Sequence, residues 1–328
     1  DKTPFYALSG GQIEDNGEGK NDETMFKVTN VIKAPNKQHL HSIKIEYGSI
    51  NVGDEFVLTI DKNRRRLVER NHSATHLLQA ALDKVLDESI NQAGSYACDE
   101  YVHFDFNYDK KITKEEIETI EKEVNEMIIS SIDEETLILD IEDAKKIGAK
   151  ALFDEKYGDK VRVVTFKDVS KEFCGGTHVK NTSEIGLFLI EFETSVASGT
   201  RRIQFRTSKG AYELAKNREN ILYRTALKLN TTSYKEVEDR LSSLISEREE
   251  LKKTNEALNK KLASSLADIY KEEFSVFNGH HLLIKTVNNL SRDILISVMD
   301  SLKVIYEDYI IILVANNKDQ LPICVALG

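Results

Sequence analysis

The sequence predicts an α+β protein in which strands and helices follow one another in four blocks. Residues 1–66 contain short alternating segments separated by glycine and asparagine, and residues 67–207 mix amphipathic helices with strands. Residues 208–275 contain helix formers and no proline, and residues 276–328 return to strand and helix. We therefore expect a small β-barrel, a two-layer α/β domain, a long helical or coiled-coil segment and a partial α/β C-terminal domain.

Composition and charge exclude several classes of protein. The chain has 328 residues, and its 45 basic and 55 acidic side chains give a net charge of −10. This charge disfavours binding nucleic acid by long-range attraction, so any such contact must be local. The longest apolar run is far shorter than the roughly 18–20 residues that cross a membrane, and the first residues are polar. We therefore expect a cytoplasmic protein without a membrane span or signal peptide.

The chain ends and the cysteines add two expectations. The sequence starts at Asp1 and stops just after the strand-like segment ICVALG, which suggests a piece of a longer protein. Three cysteines form no disulfide framework, and an unpaired cysteine beside a histidine suits metal binding or catalysis.

Each of the first two blocks contains recognisable elements. In residues 1–66, alternating segments such as MFKVTNVI and HSIKIEY indicate strands. In residues 67–207, the pattern predicts a helix over 67–87, a strand at YVHFDFNY and a helix over 113–131 that opens with the capping box TKEE. A strand near TLILDI, a helix over 142–150 and strands at VRVVTF, GLFLIEFETSVA and RRIQFRT complete this domain.

Residues 208–275 carry an apolar seam. Its members recur at spacings of three and four residues or their sum, and they are Val237, Leu241, Leu244, Leu251, Leu258 and Leu262. Arg248 and Asn255 occupy seam positions, and a polar asparagine there can specify register and strand number. The seam predicts either a coiled coil that forms a homodimer or an antiparallel helical hairpin within the chain. Residues 276–328 predict the start of a β-α-β domain.

Two histidines lie one turn apart in the segment RNHSATHLLQAALDKVL. His72 and His76 have the i, i+4 spacing that places both rings on one helix face, with Cβ atoms about 6 Å apart. Two imidazoles so placed can bind one ion, although the pair alone also fits capping or core roles. A metalloprotease is disfavoured, because Ser73 stands where the HExxH motif has its glutamate base.

A second pair lies in the segment EFCGGTHVKN. The glycine-rich stretch between Cys174 and His178 favours a turn, so the sulfur and the imidazole can converge on one point. Together with His72 and His76 they make four nitrogen and sulfur ligands, the set that tetrahedral Zn²⁺ prefers. We therefore expect zinc at these four residues. The alternative, a metal-free Cys–His nucleophile, leaves the first two histidines without a role.

These motifs resemble a known family. RNHSATHLLQAAL, CGGTHV, SGTRRI and the opening DKTPFYALSGGQIEDNG together resemble the editing region of alanyl-tRNA synthetases over residues 1 to about 207. The later residues look like that family's helical linker and the start of its C-terminal domain, and the family's aminoacylation domain lies upstream. The resemblance implies hydrolysis of serine or glycine wrongly attached to the alanine tRNA.

Amino acid discrimination explains why such a second site is needed and which residues it requires. A site for alanine excludes glycine and serine poorly, so the editing pocket must accept serine through polar partners that alanine would leave unpaired. Family likeness points to Gln92 as such a pocket residue. Thr75 and Thr177 are candidates because they lie beside the predicted ligands. Surface or helix-capping roles are the alternatives for all three.

Two further segments are candidates for the tRNA end. Gly10 and Gly11 permit a backbone turn close to the pocket, and Gln12 is placed to line its edge or meet the tRNA. A structural turn explains this segment nearly as well. Arg201 and Arg202 either contact phosphate or brace an acidic loop.

Other interpretations stay open from the sequence alone. Zinc with three ligands and an open position lowers the pKa of water toward ~7, whereas four protein ligands favour a zinc that organises the pocket. The chain is alternatively a free-standing editing protein, or a tRNA-binding module with a purely structural zinc. A hydrolase of small substrates is disfavoured by the missing glutamate. Threonyl-tRNA synthetases carry a similar module, but CGGTH and SGTRRI favour alanine.

Overall fold

The structure, a computed structural model, describes residues 2–151, 159–318 and 320–328. These residues form four sheets and six α-helices, which confirms the predicted α+β class. The chain divides into two compact units, Asp1–Ile221 and Leu222–Gly328. Among the described helices, none combines the length and the apolar character needed to cross a lipid bilayer.

The first unit begins with a four-stranded antiparallel sheet. Its strands are β1 (Gly17–Lys20), β2 (Met25–Lys33), β3 (His39–Tyr47) and β4 (Val57–Ile60), in the order β3-β2-β1-β4. Phe5, Phe26 and Val31 form its buried core. Because β3 and β4 are edges, the sheet is open in the described residues and the predicted barrel is not seen. Apolar alternation predicts strands with one buried face, but it does not show whether the outer strands meet.

A long helix follows and carries the two early histidines. Helix α1 (Lys62–Leu86) begins after Asp61, whose side chain accepts hydrogen bonds from the backbone N–H groups of Asn63 and Arg64. It starts at residue 62 instead of the predicted 67, because this cap precedes the first apolar position. The fully buried side chains of its apolar stripe are Ala74, Leu77, Leu78 and Ala81.

Two further sheets and two helices complete the β/α part of the first unit. In chain order the elements are β5 (Asn91–Ala97), β6 (Val102–Asn107), α2 (Lys114–Ile129), β7 (Glu134–Asp140), α3 (Ile141–Lys146), β8 (Lys160–Phe166), β9 (Ser170–Phe173), β10 (Phe188–Ala197) and β11 (Thr200–Thr207). Helix α2 opens with the predicted capping box, formed by Thr113 and Glu116. Helix α3 is shorter than predicted and ends at residue 146.

These elements build a two-layer core that positions the site. Helices α1 and α2 share one buried cluster with the antiparallel sheet β10-β11-β6-β5, and the phenylalanines that this sheet contributes to the cluster are Phe104, Phe106, Phe188 and Phe205. Strands β7, β8 and β9 form a separate antiparallel sheet. Strand β9 contacts α1, so the late cysteine–histidine segment lies beside the early histidines.

The second unit contains a long helix and a small mixed sheet. Helix α4 (Ser208–Lys228) spans the residue boundary between the units, and the remaining elements are α5 (Val237–Tyr270), β12 (Ser275–Phe277), β13 (His280–Asn288), α6 (Arg292–Leu302), β14 (Tyr309–Asn316) and β15 (Ile323–Leu327). Strands β13 and β14 are parallel and are joined through α6. They therefore form the β-α-β arrangement that the sequence predicts.

Helix α5 is one continuous helix of 34 residues that carries the leucine seam. Leu241, Leu251 and Leu262 are 47%, 63% and 42% exposed. The seam is therefore on the surface of the described chain, and its pairing into a coiled coil stays a prediction.

Candidate metal centre

His72 and His76 lie on the buried face of α1. Their exposed fractions are 6% and 2%, and their ring centroids are 5.8 Å apart. Phe166 in β8 packs edge-on against His76. Two imidazoles held in this way inside the protein need polar partners, because an unpaired buried polar group is costly.

Cys174 and His178 are held by the turn that follows β9. The backbone N–H of Cys174 donates to the carbonyl of Arg162 at 3.0 Å. In return, Nη1 of Arg162 donates to the carbonyls of Cys174 and Gly176, at 2.8 Å each. A Cβ atom at Gly176 would overlap the ring of His72, so only glycine fits at this position. Hydrogen bonds from Arg162 and close packing against His72 therefore hold the turn in place.

The four predicted ligands converge in the structure. One ligand atom from each of His72, His76, Cys174 and His178 lies within 4.8 Å of the other three. Sγ of Cys174 is 3.2 Å from Nε2 of His178 and 3.6 Å from Nε2 of His72. The expected convergence of a helix and a distant turn on one point is therefore present.

The Nδ1 atom of His72 is held by a fully buried glutamine. Oε1 of Gln12 lies 2.7 Å from this Nδ1 and also accepts the backbone N–H of Thr177 at 2.8 Å. Nε2 of Gln12 donates to Oγ1 of Thr177 at 2.9 Å. The side-chain amide of Gln12 therefore links His72 to the cysteine–histidine turn through hydrogen bonds.

The other two histidines also have partners at Nδ1. Oε2 of Glu172 lies 3.0 Å from Nδ1 of His76, and the other carboxylate oxygen accepts the hydroxyl of Ser170 at 2.7 Å. Oγ of Ser73 lies 3.1 Å from Nδ1 of His178. With all three Nδ1 atoms engaged outside the cluster, each Nε2 is left for a metal, which is the usual arrangement around histidine ligands.

Burial keeps the three imidazoles neutral. It lowers the pKa of His72 and of His76 from the usual 6.5 to about 3, and the positive charge of Arg162 adds to both shifts. Burial also lowers the pKa of His178 well below its usual value. Neutral imidazole is the form that binds metals. The same burial raises the pKa of Glu172 to about 7, so its contact with His76 is a hydrogen bond to a neutral ring.

The donor set suits a transition-metal ion such as zinc and does not suit Ca²⁺ or Mg²⁺. Three imidazole nitrogens and one sulfur make a four-coordinate site of the kind that zinc prefers, whereas Ca²⁺ and Mg²⁺ require oxygen ligands. The outer hydrogen bonds already select the Nε2 atoms, so the side chains are oriented as a metal requires.

Comparisons with known families agree with this geometry. Residues 161–204, which include Cys174 and His178, match the threonyl and alanyl tRNA synthetase second additional domain. Residues 1–64, which include Gln12, match the class II (A) tRNA synthetases.

Whole-chain comparison identifies alanine–tRNA ligases as relatives of this chain. The alanine–tRNA ligase of Streptococcus pneumoniae (strain Hungary19A-6) is 42% identical over 330 residues, which is 99% of this chain and 37% of the relative. That of Staphylococcus aureus (strain Newman) is 40% identical over 319 residues, 97% of this chain and 36% of the relative. The chain corresponds to one region of the alanine–tRNA ligases. It spans little more than a third of their length, and the predicted resemblance is confirmed.

Of the polar pocket candidates, Gln12 contacts His72 directly, and the residue next to His178 in the chain is Thr177. Its hydroxyl accepts a hydrogen bond from Gln12 and keeps its own hydrogen, and its side chain is half-buried. The hydroxyl of Thr75 donates to the carbonyl of His72 at 2.6 Å within α1, as a structural role requires. Gln92, suggested by the likeness to alanine–tRNA ligases, lies half-buried on β5 opposite Phe106. Its role in the pocket stays a prediction.

The glycine pair forms the predicted turn. Gly10 and Gly11 have φ angles of 56° and 76°, which favour glycine, and a Cβ atom at Gly11 would overlap Ser95. The turn lies directly before Gln12. Its glycines therefore let the chain approach β5 and place the buried amide, whereas a contact with tRNA stays a prediction.

Both arginines of the SGTRRI motif have acidic partners. Nε and Nη2 of Arg202 donate to the carboxylate of Asp105 at 2.6 and 2.8 Å. Arg201 pairs with Glu193 on the neighbouring strand. These pairs supply the bracing role that was the alternative to phosphate binding, and phosphate contact stays a prediction.

Sequence reasoning missed three residues of the centre. The sequence identifies Ser73 only as the residue that replaces the glutamate of the HExxH motif, and it predicts no role for Arg162 or Glu172. A signal for Glu172 was present, because Ser170, Glu172 and Cys174 alternate along an extended segment and so share one face. Arg162 carried no local signal, since it reaches the turn from a neighbouring strand.

Proposed function

We propose that this chain is a zinc-dependent editing module that hydrolyses the ester of serine or glycine wrongly attached to the alanine tRNA. The observation that carries the proposal is the convergence of His72, His76, Cys174 and His178, with each Nδ1 already engaged. The correspondence to alanine–tRNA ligases supports the substrate class.

Four protein ligands favour a zinc that organises the site. Bound zinc would supply a fixed positive charge that orders the ligands and attracts the polar end of the substrate. The protein's own groups then position the ester and an attacking water. The aminoacyl ester is already activated, so its leaving ribose oxygen needs little assistance.

The hydroxyl of Thr177 is the group best placed to recognise serine. It receives a hydrogen bond from Gln12 and can donate its own hydrogen to the serine hydroxyl. Alanine would leave this donor unpaired, and an unpaired buried polar group costs about 1–3 kcal/mol. The pocket would thus accept serine and spare alanine, which is the reverse of the task at an alanine-activating site.

A deacylation assay tests the proposal directly. The zinc-loaded chain is expected to release serine from Ser-tRNA for alanine roughly 100-fold faster than it releases alanine from Ala-tRNA. Cys174→Ala should abolish the release, while Cys324→Ala, in the second unit, should not change it. Equal release by the parent chain and Cys174→Ala would overturn the proposed centre.

A tRNA-binding module with structural zinc is the second candidate. It is favoured by the same four protein ligands, because a filled tetrahedral shell is typical of structural zinc sites. This candidate predicts that the chain binds the charged tRNA tightly but releases no serine in the same assay.

The seam of α5 supports a further proposal about assembly. A second copy of this chain would cover the exposed leucines, with Asn255 fixing the register of a two-stranded coiled coil. The heptad spacing favours this occupant, and the test is described in the Discussion.

A further inference from the structure

Glu172 is a buried carboxylate next to the proposed metal centre. It is 3% exposed, and its described contacts are Nδ1 of His76 at 3.0 Å and the hydroxyl of Ser170 at 2.7 Å. Within the described residues, no lysine or arginine nitrogen lies within 4.0 Å of it. Lys150 interacts with Glu172 electrostatically but forms no ion pair with it, and burying a carboxylate without an ion pair costs several kcal/mol, so the position of this side chain requires an explanation.

The backbone places Glu172 together with two other functional groups. Ser170, Glu172 and Cys174 are two residues apart along β9 and its extension, so they project from the same face toward α1. Phe173 between them is buried in a different cluster with Val163. One strand therefore presents a hydroxyl, a carboxylate and a thiol to the histidine helix.

Charge counting shows what a bound divalent ion would change. Three neutral imidazoles and one thiolate around Zn²⁺ leave a net charge of +1 inside the protein. The guanidinium of Arg162 adds a second positive charge, and one carboxylate offsets part of this total. Glu172 is the buried carboxylate in contact with a ligand of the cluster. Its hydrogen bond also fixes the proton of His76 on Nδ1 and leaves Nε2 for the metal.

We propose that Glu172 is the positioning residue that orients His76 and offsets part of the positive charge of the metal centre. This inference rests on the metal centre of the proposed function. Carboxylates in this position commonly contribute about 10–100-fold to metal affinity. Glu172 also lines a cleft of ≈ 310 Å³ together with Gln79 and Lys150. Glutamine is therefore the informative replacement, because alanine would open the cleft toward His76.

Zinc affinity measured by competition with a chromophoric chelator tests the inference. Glu172→Gln is expected to weaken zinc binding about 10–100-fold, while Glu135→Gln, an exposed change of the same charge on β7, should stay within about threefold of the parent. Glu172→Asp keeps the charge and should recover part of the loss. In cobalt-loaded protein, Glu172→Gln should also shift the ligand-field bands, which Glu135→Gln should not.

The outcomes separate this inference from the proposed function. Parent-like affinity and an unchanged cobalt spectrum in Glu172→Gln would overturn the role of Glu172 and leave the metal centre intact. Failure of the parent chain to bind zinc would overturn both. If circular dichroism shows Glu172→Gln to be unfolded, Ser170→Ala carries the test. Releasing the carboxylate from Ser170 should weaken zinc binding about tenfold, which exceeds the range allowed for Glu135→Gln, and unchanged affinity would overturn the inference.

Discussion

The histidine–cysteine cluster and the leucine seam of α5 differ in how far the rest of the chain buries them and supplies them with partners. The three histidines of the cluster are at most 6% exposed and each has a partner at Nδ1. Leu251 and Leu258 of the seam are 63% and 59% exposed. Because burial and hydrogen bonds already orient its side chains, the cluster is preorganised to bind a small ion. A surface of exposed leucines acquires a function only when a larger partner covers it.

Removing one of the proposed ligands should lower zinc affinity more than any other change. His72→Ala deletes one of four proposed ligands and leaves Gln12 with only Thr177 as a partner, so zinc affinity should fall roughly 100-fold or more. His280→Ala, at an exposed position on β13, is the matched control and should bind zinc like the parent. Equal affinity in both variants would show that His72 is not a ligand.

Loss of the buried amide should have the next largest effect. Gln12→Ala removes the acceptor of His72 and unfastens Thr177, so zinc affinity should fall about 10–100-fold. Calorimetric titration with zinc measures the change. Asn36→Ala, an exposed amide in the turn between β2 and β3, is the control. An unaffected Gln12→Ala would mean that the amide is only a packing group.

Acidification should destabilise the metal-free protein. The folded-state pKa values of His72 and His76 are about 3, so the unfolded chain binds more protons between about pH 3 and 6.5 and stability falls as pH falls through this range. Each histidine contributes roughly 1.4 kcal/mol per pH unit. Glu172, with its pKa raised to about 7, has the opposite sign, but His178 adds to the two histidines. Urea unfolding near neutral pH and near pH 5 measures the difference, and greater stability at the lower pH would contradict this account.

Mutation of the leucine seam should have the smallest effect on the free energy of unfolding. Leu251→Ala removes an exposed side chain and should change the free energy of unfolding by less than about 0.5 kcal/mol, whereas Leu78→Ala in the core should cost about 2–5 kcal/mol. Sedimentation analysis should show a dimer that Leu251→Ala weakens. A monomeric parent chain would exclude the coiled coil.

Residue spacing predicted that the four candidate ligands converge, because both pairs carry local geometric signals. His72 and His76 lie on one helix face, and the glycines before His178 require a turn. The orienting roles could not be predicted in this way, although Gln12 itself is predicted at the edge of the pocket. Arg162 acts from an adjacent strand, and Gln12 acts from a loop 60 residues before His72. Such contacts depend on tertiary packing, which leaves little trace in one sequence.

The fold shows the same limit at a larger scale. Capping chemistry predicted α2 closely, because Thr113 and Glu116 define its start through local hydrogen bonds. The order of the first four strands was not predictable, since an open sheet and a barrel share the same alternation of buried and exposed residues.

X-ray absorption spectroscopy of the zinc-loaded chain tests the central claim most directly. If His72, His76, Cys174 and His178 bind one ion together, the spectrum should show one sulfur at about 2.3 Å and three nitrogens at about 2.0–2.1 Å. A shell without sulfur, or one dominated by oxygen, would contradict the account.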